Sequence, residues 1–151
     1  MKKIPLEGWP RKEHYLFFRD FDYPYFSLCA DMDLRVFLPI IKKEKISFTA
    51  VMMYLIARVA NGIPEFRQRV RDGDPVEYPV VHPSATILST NDLFTFCTVR
   101  YVLDFKEFIR QAEEEIALAK TQPGLEEKIQ DDSMLFMSSI PWVSFTSFHH
   151  P

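Results

Sequence analysis

Glycine and cysteine are scarce in this sequence, and their scarcity excludes several common kinds of site. Only four glycines occur in 151 residues, and none of them forms a glycine-rich phosphate loop or a nucleophile elbow. The two cysteines, Cys29 and Cys97, lie far apart in apolar segments and lack the paired spacing of a metal site. We therefore expect buried, reduced thiols and no metal, with a disulfide or a reactive thiol as the alternative.

The sequence also lacks clusters of like charge and long apolar runs. Lysine and arginine are scattered, and the formal net charge is −3. A nucleic-acid interface needs a basic patch, and a membrane-spanning helix needs about 18 consecutive apolar residues. The basic N-terminus is followed by no apolar stretch of the kind found in secretory signals. These absences predict a cytoplasmic protein with no nucleic-acid or membrane partner.

What the sequence does contain is enough apolar material for one domain over residues 1–151. Hydrophobic residues make up 47% of the chain, and 14 of them are phenylalanine. A chain of this length buries roughly 70% of its unfolded surface when it folds. Helical patterns alternate with runs of strand-like segments, which predicts an α+β layered fold.

Two short helices are predicted near the N-terminus and two longer ones further on. Residues 9–19 have Pro10 at a first helical position, and Asp33 can cap a helix through Ile41 that Pro39 shortens or bends. Ser47 caps residues 48–60, which are apolar nearly all round and so should be buried on most sides. Asn61 and Gly62 should end this helix with a left-handed stop. The fourth helix should start at a capping box formed by Asp104 and Glu107.

Several short segments have the alternation or β-rich composition of strands. Residues 66–70 and 76–81 should form a hairpin, because Asp72-Gly73 between them is a strong turn dipeptide. The other predicted strands are 25–32, 85–89, 93–99, 133–139 and 142–148. The last of these lies in the octapeptide PWVSFTSF (141–148), where large apolar residues are interleaved with hydroxyls. Such a strand has one apolar face and one hydrogen-bonding face, and it either closes a complete sheet or belongs to a longer fold.

The titratable residues do not by themselves identify a reaction. His14, His82 and the pair His149-His150 are expected to be surface or core histidines. The acidic run 113–115 is expected to be a solvated helix face and not a metal site. Composition and spacing alone leave the function open.

Five motifs, in order, resemble the chloramphenicol acetyltransferase family. They are WPRKEH at 9–14, PEFR at 64–67, RDG at 71–73, VHP at 81–83 and the octapeptide at 141–148. The resemblance implies a two-layer α/β sandwich, in which a large mixed sheet carries helices on one side. It also implies a homotrimer with active sites between subunits, and an antibiotic-resistance role.

The reaction implied by the resemblance is acetyl transfer from acetyl-CoA to a hydroxyl of chloramphenicol or a related small molecule. In that family a histidine of an HHxxxDG motif removes the hydroxyl proton, and the oxygen attacks the thioester directly. That motif does not occur in these 151 residues. The resemblance therefore predicts that the sequence is an N-terminal portion, that the histidine base lies in a missing segment, and that the fragment alone is inactive.

The resemblance assigns roles to particular residues. Ser147 would donate a hydrogen bond to the oxyanion, and Arg11 would support the aspartate of the histidine motif. Aromatic and apolar residues would form the acceptor pocket, with core packing as the alternative: Phe18, Tyr25, Phe26, Phe94 and Met134. Phe18 stands where well-known members carry a tyrosine, which leaves another hydroxyl acceptor open.

Two other hypotheses remain at this stage. The protein could be a non-catalytic homologue that binds hydrophobic small molecules. It could also be an acyltransferase with a different alcohol or thiol acceptor, as in the related dihydrolipoamide acyltransferase cores.

Overall fold

A computed structural model describes residues 1–90, 92–122, 124–125, 129 and 131–148. A short 3₁₀ helix, Pro64–Arg67, follows the third α-helix. The α-helices are α1 (Lys12–Phe18), α2 (Phe37–Lys43), α3 (Phe48–Gly62) and α4 (Phe105–Thr121). The strands are β1 (Lys2–Lys3), β2 (Gln68–Arg71), β3 (Asp74–Glu77), β4 (His82–Leu88), β5 (Phe94–Thr98) and β6 (Met134–Met137).

A mixed sheet carries α3 and α4 on one of its faces. In this sheet β4 lies between β5, to which it is antiparallel, and β6, to which it is parallel. Alternate residues of β4 and β5 point to the same side, where Ala85, Ile87 and Cys97 join the buried core. Residues of α3 and α4, among them Met53 and Phe108, complete that core. The predicted α+β class, with helices on one side of a mixed sheet, is confirmed.

A second sheet, antiparallel throughout, is built around the predicted hairpin. Strand β3 pairs with β1 on one side and β2 on the other. Asp72 and Gly73 both have positive φ angles, 51° and 76°, as a two-residue type I′ turn requires. The hairpin prediction is confirmed, although its strands are shorter than predicted.

Both N-terminal helices begin later than the sequence patterns predict. Arg11, not a residue before Pro10, is the N-cap of α1. The prediction that Asp33 caps α2 is wrong, because its carboxylate instead accepts hydrogen bonds from the backbone and guanidinium of Arg35. Pro39 lies in the first turn of α2, where a backbone N–H has no intrahelical partner, and so it does not break the helix.

The two long helices start where their caps predict. The Ser47 hydroxyl accepts a hydrogen bond from the N–H of Ala50, and an Asp104 carboxylate oxygen accepts one from the N–H of Glu107 at 2.8 Å. The predicted left-handed stop of α3 is wrong, because Gly62 is still helical. Asn61 has another use: its side-chain amide donates to the carbonyl of Val81 and accepts from the Val81 N–H, which ties α3 to the residue before β4.

The expectation that α3 is buried on most sides is also wrong. Its residues Leu55, Ile56 and Val59 are 38%, 40% and 60% exposed. They form an exposed apolar side of the helix that borders open grooves. The apolar residues of α3 therefore belong to two faces: one packs in the core, and the other lies on the surface.

Two predicted strands, 25–32 and 142–148, are not strands in the structure. Both segments are extended or irregular and lie on the surface. Their β-rich, aromatic composition predicts a half-buried position, but exposed segments without a continuous backbone ladder do not form regular strands. Neither cysteine forms a disulfide with another described residue, and Cys29, in the first of these segments, is exposed and not buried as predicted.

Candidate functional site

The C-terminal octapeptide lies against residues 25–32. The Ser27 hydroxyl donates to the carbonyl of Phe148 at 3.1 Å, and the Cys29 thiol donates to the carbonyl of Thr146 at 3.2 Å. The two contacts advance in opposite directions along the two segments, as in an antiparallel pair. Ser147 lies between them and is exposed. The structure thus brings Ser147 alongside the segment that carries Tyr25 and Phe26, two of the predicted pocket residues.

Two groups of aromatic rings are exposed, one at the end of α1 and one at the start of this segment. Phe18, at the end of α1, packs edge-on against Phe17 and Phe21, with ring centroids 5.0 and 5.3 Å apart. The ring of Tyr25 packs against that of Tyr23 at 6.0 Å. These rings, together with Phe26, stay largely exposed. They provide an apolar surface of the kind that binds a small aromatic molecule or a second protein surface.

Helix α1 connects three of the sequence motifs. Arg11, at its N-cap, donates to a carboxylate oxygen of Glu65 in the 64–67 motif at 2.8 Å. The Tyr15 hydroxyl donates to the carbonyl of Gly73 in the 71–73 motif at 2.6 Å. The motifs at 9–14, 64–67 and 71–73 are therefore parts of one local structure, and Arg11 has Glu65 as its carboxylate partner within it.

Phe94 and Met134 line two different grooves, and Ser147 is not among the lining residues of either. Phe94 begins β5 and lines a groove of about 860 Å³ together with α3, the residues after β6 and Trp142. Met134 is buried at the start of β6 and lines a different groove, of about 800 Å³, with Met32 and the exposed side of α3. The octapeptide borders the first groove through Trp142, and the 25–32 segment borders the second through Met32.

A polar cluster that the sequence patterns did not reveal joins β6 to the hairpin. A carboxylate oxygen of Asp132 accepts hydrogen bonds from Arg71 and from the Tyr78 hydroxyl, the latter at 2.7 Å. The Arg69 guanidinium donates to the backbone carbonyls of Asp132 and Met134 at 2.7 and 2.9 Å. Burial acts to raise the pKa of Asp132, but the hydrogen bond from Tyr78 and the charge of Arg71 outweigh it and lower the pKa. The cluster positions Met134 and the start of β6.

Two histidines lie at described positions, and within the described ranges no hydrogen bond joins either of them to Ser147. His82 is buried at the start of β4, where its Nδ1 accepts a hydrogen bond from the N–H of Tyr101 at 2.9 Å. His14 is exposed on α1, on the segment that carries Arg11. The predicted pair His149-His150 lies outside the described residues.

The acidic run of α4 makes local structural contacts. Glu113 accepts from the backbone N–H of Ser47 at 3.0 Å, and Glu114 pairs with Arg110 at 2.8 Å. The described side chains include no group of three or more His, Cys, Asp or Glu arranged to hold a metal ion. Within the described ranges, every helix falls short of the length and apolarity that a membrane crossing requires.

Comparisons with known proteins cover nearly the whole chain. The family model described as chloramphenicol acetyltransferase matches residues 1–150. Chloramphenicol acetyltransferases of Klebsiella sp and Escherichia coli are each 31% identical over 146 residues, or 96% of this chain and 67% of the relative. That of Proteus mirabilis is 31% identical over 147 residues, or 97% and 68%.

A solved structure of a chloramphenicol acetyltransferase also superposes on this chain. Its TM-score is 0.87 with 29% sequence identity, and the match covers 100% of this chain and 75% of that one. The matched region includes both segments that meet at Ser147 and all five motifs. The relatives are longer than this chain, which spans about two thirds of their length.

Proposed function

The chain belongs to the chloramphenicol acetyltransferase family, and from this premise we propose that it contributes to acetyl transfer from acetyl-CoA to a hydroxyl of chloramphenicol or a related small molecule. The family is one of acyltransferases, so the reaction class follows from membership. The observation that carries the finer proposal is the antiparallel contact between residues 25–32 and the octapeptide. Through it Ser147 lies beside the segment that carries the exposed rings of Tyr25 and Phe26, which supports the proposal.

The proposed reaction is a direct displacement. The acceptor hydroxyl loses its proton to a base as its oxygen bonds to the thioester carbon, giving a tetrahedral oxyanion. The carbon–sulfur bond then breaks, and coenzyme A leaves as a thiol after taking up that proton. We assign the hydrogen bond to the oxyanion to Ser147, because a fixed donor aimed at developing charge lowers the barrier by about 3 kcal/mol.

The base in this proposal is a histidine of an HHxxxDG motif on chain that the 151 residues do not include. The greater length of the relatives supports this assignment. Arg11 is proposed to hold the aspartate of that motif. Its guanidinium has several N–H donors, and the bond to Glu65 is made by one nitrogen, Nη2. Arg11 can therefore keep its hydrogen bond to Glu65 and donate further hydrogen bonds to a second carboxylate.

The acceptor is proposed to bind on the aromatic surface. Tyr25 and Phe26 are exposed on the segment next to the octapeptide, and Phe18 is exposed at the end of α1, which supports their role. Phe94 and Met134 line separate grooves, and we assign them to the periphery of the pocket. A phenylalanine at position 18 offers a ring face but no hydroxyl, which favours an acceptor with an apolar group at that point.

The decisive test uses the complete gene product with acetyl-CoA and chloramphenicol. We expect free thiol to appear at least about tenfold faster than with acetyl-CoA alone, because acceptor attack outpaces hydrolysis. A thiol reagent measures the release, and product analysis locates the acetyl group on a hydroxyl. The matched control replaces chloramphenicol with its acetylated form.

Other acceptors separate the remaining hypotheses. Thiol release with another alcohol but not with chloramphenicol would support an acyltransferase and would reject chloramphenicol as its substrate. Release with dihydrolipoamide alone would identify a thiol acceptor. If no acceptor causes release although chloramphenicol binds, the protein is a binding homologue and the catalytic proposal is wrong.

We also propose that the protein is a homotrimer. The 25–32 segment and the octapeptide expose many apolar side chains, more than isolated surface residues account for, and a second copy of the chain would cover them. Light scattering on the purified protein should give a mass three times that of the chain. Leu28→Glu, at an 85% exposed position, should lower that mass, whereas Leu103→Glu, at a 70% exposed position far from the octapeptide in sequence, should not. A monomeric wild-type protein would contradict the proposal.

A further inference from the structure

We propose that the contact between His82 and Tyr101 is a pH-sensitive switch that holds the loop between β5 and α4 while the His82 ring is uncharged. His82 opens β4 within the 81–83 motif, which the proposed reaction does not use. Its Nδ1 accepts a hydrogen bond from the Tyr101 N–H at 2.9 Å. An imidazole nitrogen that accepts carries no proton, so the proton of the neutral ring is on Nε2.

The loop that this bond holds links the sheet to both long helices. The Tyr101 ring packs 6.2 Å from that of Tyr54 on α3 and 6.3 Å from that of Phe108 on α4. The Tyr54 hydroxyl donates to the loop carbonyl of Leu103 at 2.9 Å. The cap of α4, Asp104, follows directly. When the Tyr101 N–H loses its partner, the loop before α4 therefore keeps the Tyr54–Leu103 hydrogen bond but is held less firmly.

Protonation removes the acceptor that the Tyr101 N–H uses. In the charged ring both nitrogens carry protons, so Nδ1–H and the Tyr101 N–H would face each other as two donors. Tyr101 is partly buried, and an amide that loses its partner in such a place is destabilised. The ring and the loop must separate before the charged form is accommodated.

Two charged groups act on His82 from the elements packed around it. Arg100 lies in the loop itself, and Asp131 precedes β6. Burial lowers the pKa of His82, the charge of Arg100 lowers it further, and Asp131 opposes them without reversing the direction. The pKa in the folded state is therefore below that in the unfolded state. The stabilisation is complete above the unfolded value of about 6.5 and is lost as the pH falls through the folded value.

A neighbouring hydrogen bond that cannot titrate provides an internal reference. The Val99 N–H donates to the backbone carbonyl of Pro83 at 3.0 Å, two residues before Tyr101. The His82 backbone N–H likewise donates to the carbonyl of Ser133 at 2.7 Å. Protonation of the ring leaves these backbone bonds intact. The ratio of Tyr101 to Val99 amide protection thus isolates the local switch from general acid unfolding.

Hydrogen exchange tests the inference. As the pH falls from about 7 to below the folded pKa of His82, after correction for intrinsic exchange, we expect the protection of the Tyr101 amide to fall by about tenfold relative to Val99. In the variant His82→Asn, the side-chain oxygen occupies roughly the position of Nδ1 and does not titrate. Its Tyr101 protection should remain constant over the same range.

Either of two results would overturn the inference: a constant Tyr101-to-Val99 ratio in the wild type, or an equal acid loss in His82→Asn. If that variant does not fold, nitrogen NMR of the wild-type ring decides instead. An unprotonated Nδ1 at neutral pH, titrating together with the Tyr101 amide shift, supports the switch. A protonated Nδ1 at neutral pH contradicts it.

Discussion

Replacing Ser147 with alanine should lower turnover of the complete enzyme by about 100-fold or more and leave acceptor binding nearly unchanged. The hydroxyl is assigned to an oxyanion that exists only in the tetrahedral intermediate and its flanking transition states. Removing it therefore raises the barrier without weakening the ground-state complex. Steady-state rates of thiol release, with the acceptor KM measured alongside, check both parts of the expectation.

Ser144 is the matched control for this experiment. It is an exposed serine of the same octapeptide, three residues earlier, and has no role in the proposed reaction. Ser144→Ala should keep the wild-type rate within about twofold, since surface substitutions away from a site have small effects. A Ser147→Ala enzyme with unchanged turnover would remove Ser147 from the mechanism. Equal losses in both variants would indicate that the segment, and not the hydroxyl, is what matters.

Features of the fold that depend on neighbours in sequence are predictable from the residues alone. Ser47 and Asp104 cap their helices because their side chains reach an N–H three residues ahead. Asp72-Gly73 turns the hairpin because both residues adopt positive φ angles readily. In each case the geometry is local, and the residue type is sufficient to determine it.

Features that depend on distant partners could not be predicted in this way. Asp132 meets Arg71 and Tyr78 across more than 50 residues of sequence, and no spacing rule reports such a cluster. Asn61 looked like a helix terminator because asparagine favours left-handed conformations, yet its amide is committed to Val81. A single side chain has several possible partners, and only the tertiary arrangement selects one.

The same distinction between local and distant contacts applies to the candidate site. Composition predicts the octapeptide and the 25–32 segment as strands, but nothing in either segment predicts their contact through Ser27 and Cys29. That contact places Ser147 beside the segment that carries Tyr25 and Phe26. Conversely, Phe94 and Met134 were grouped by resemblance, while the structure gives each its own groove. The motifs indicate which residues are candidates for the site, and the fold determines which of them share a surface.

Phe108→Ala should reduce the free energy of unfolding by about 3–5 kcal/mol, the largest stability effect we expect from one substitution in this chain. Phe108 is completely buried on α4, between the sheet and α3. Its ring lies 5.4 Å from that of Tyr54, so truncation opens a cavity and removes an aromatic pair. Close-packed neighbours cannot collapse fully into that space, which is why the cost exceeds the transfer free energy of the lost atoms.

Phe105, one turn earlier on α4, is the matched control for this test, because it is the same residue type at a less buried position. It is 38% exposed, and its ring packs 5.0 Å from the same Tyr54. Phe105→Ala loses an aromatic contact but leaves no closed cavity, so its cost should be about 1–2 kcal/mol. Urea unfolding followed by circular dichroism measures both variants. Equal losses would mean that the α3–α4 interface is not the centre of the core. A larger loss at Phe108 would establish that the core depends on filling the space between α4, α3 and the mixed sheet.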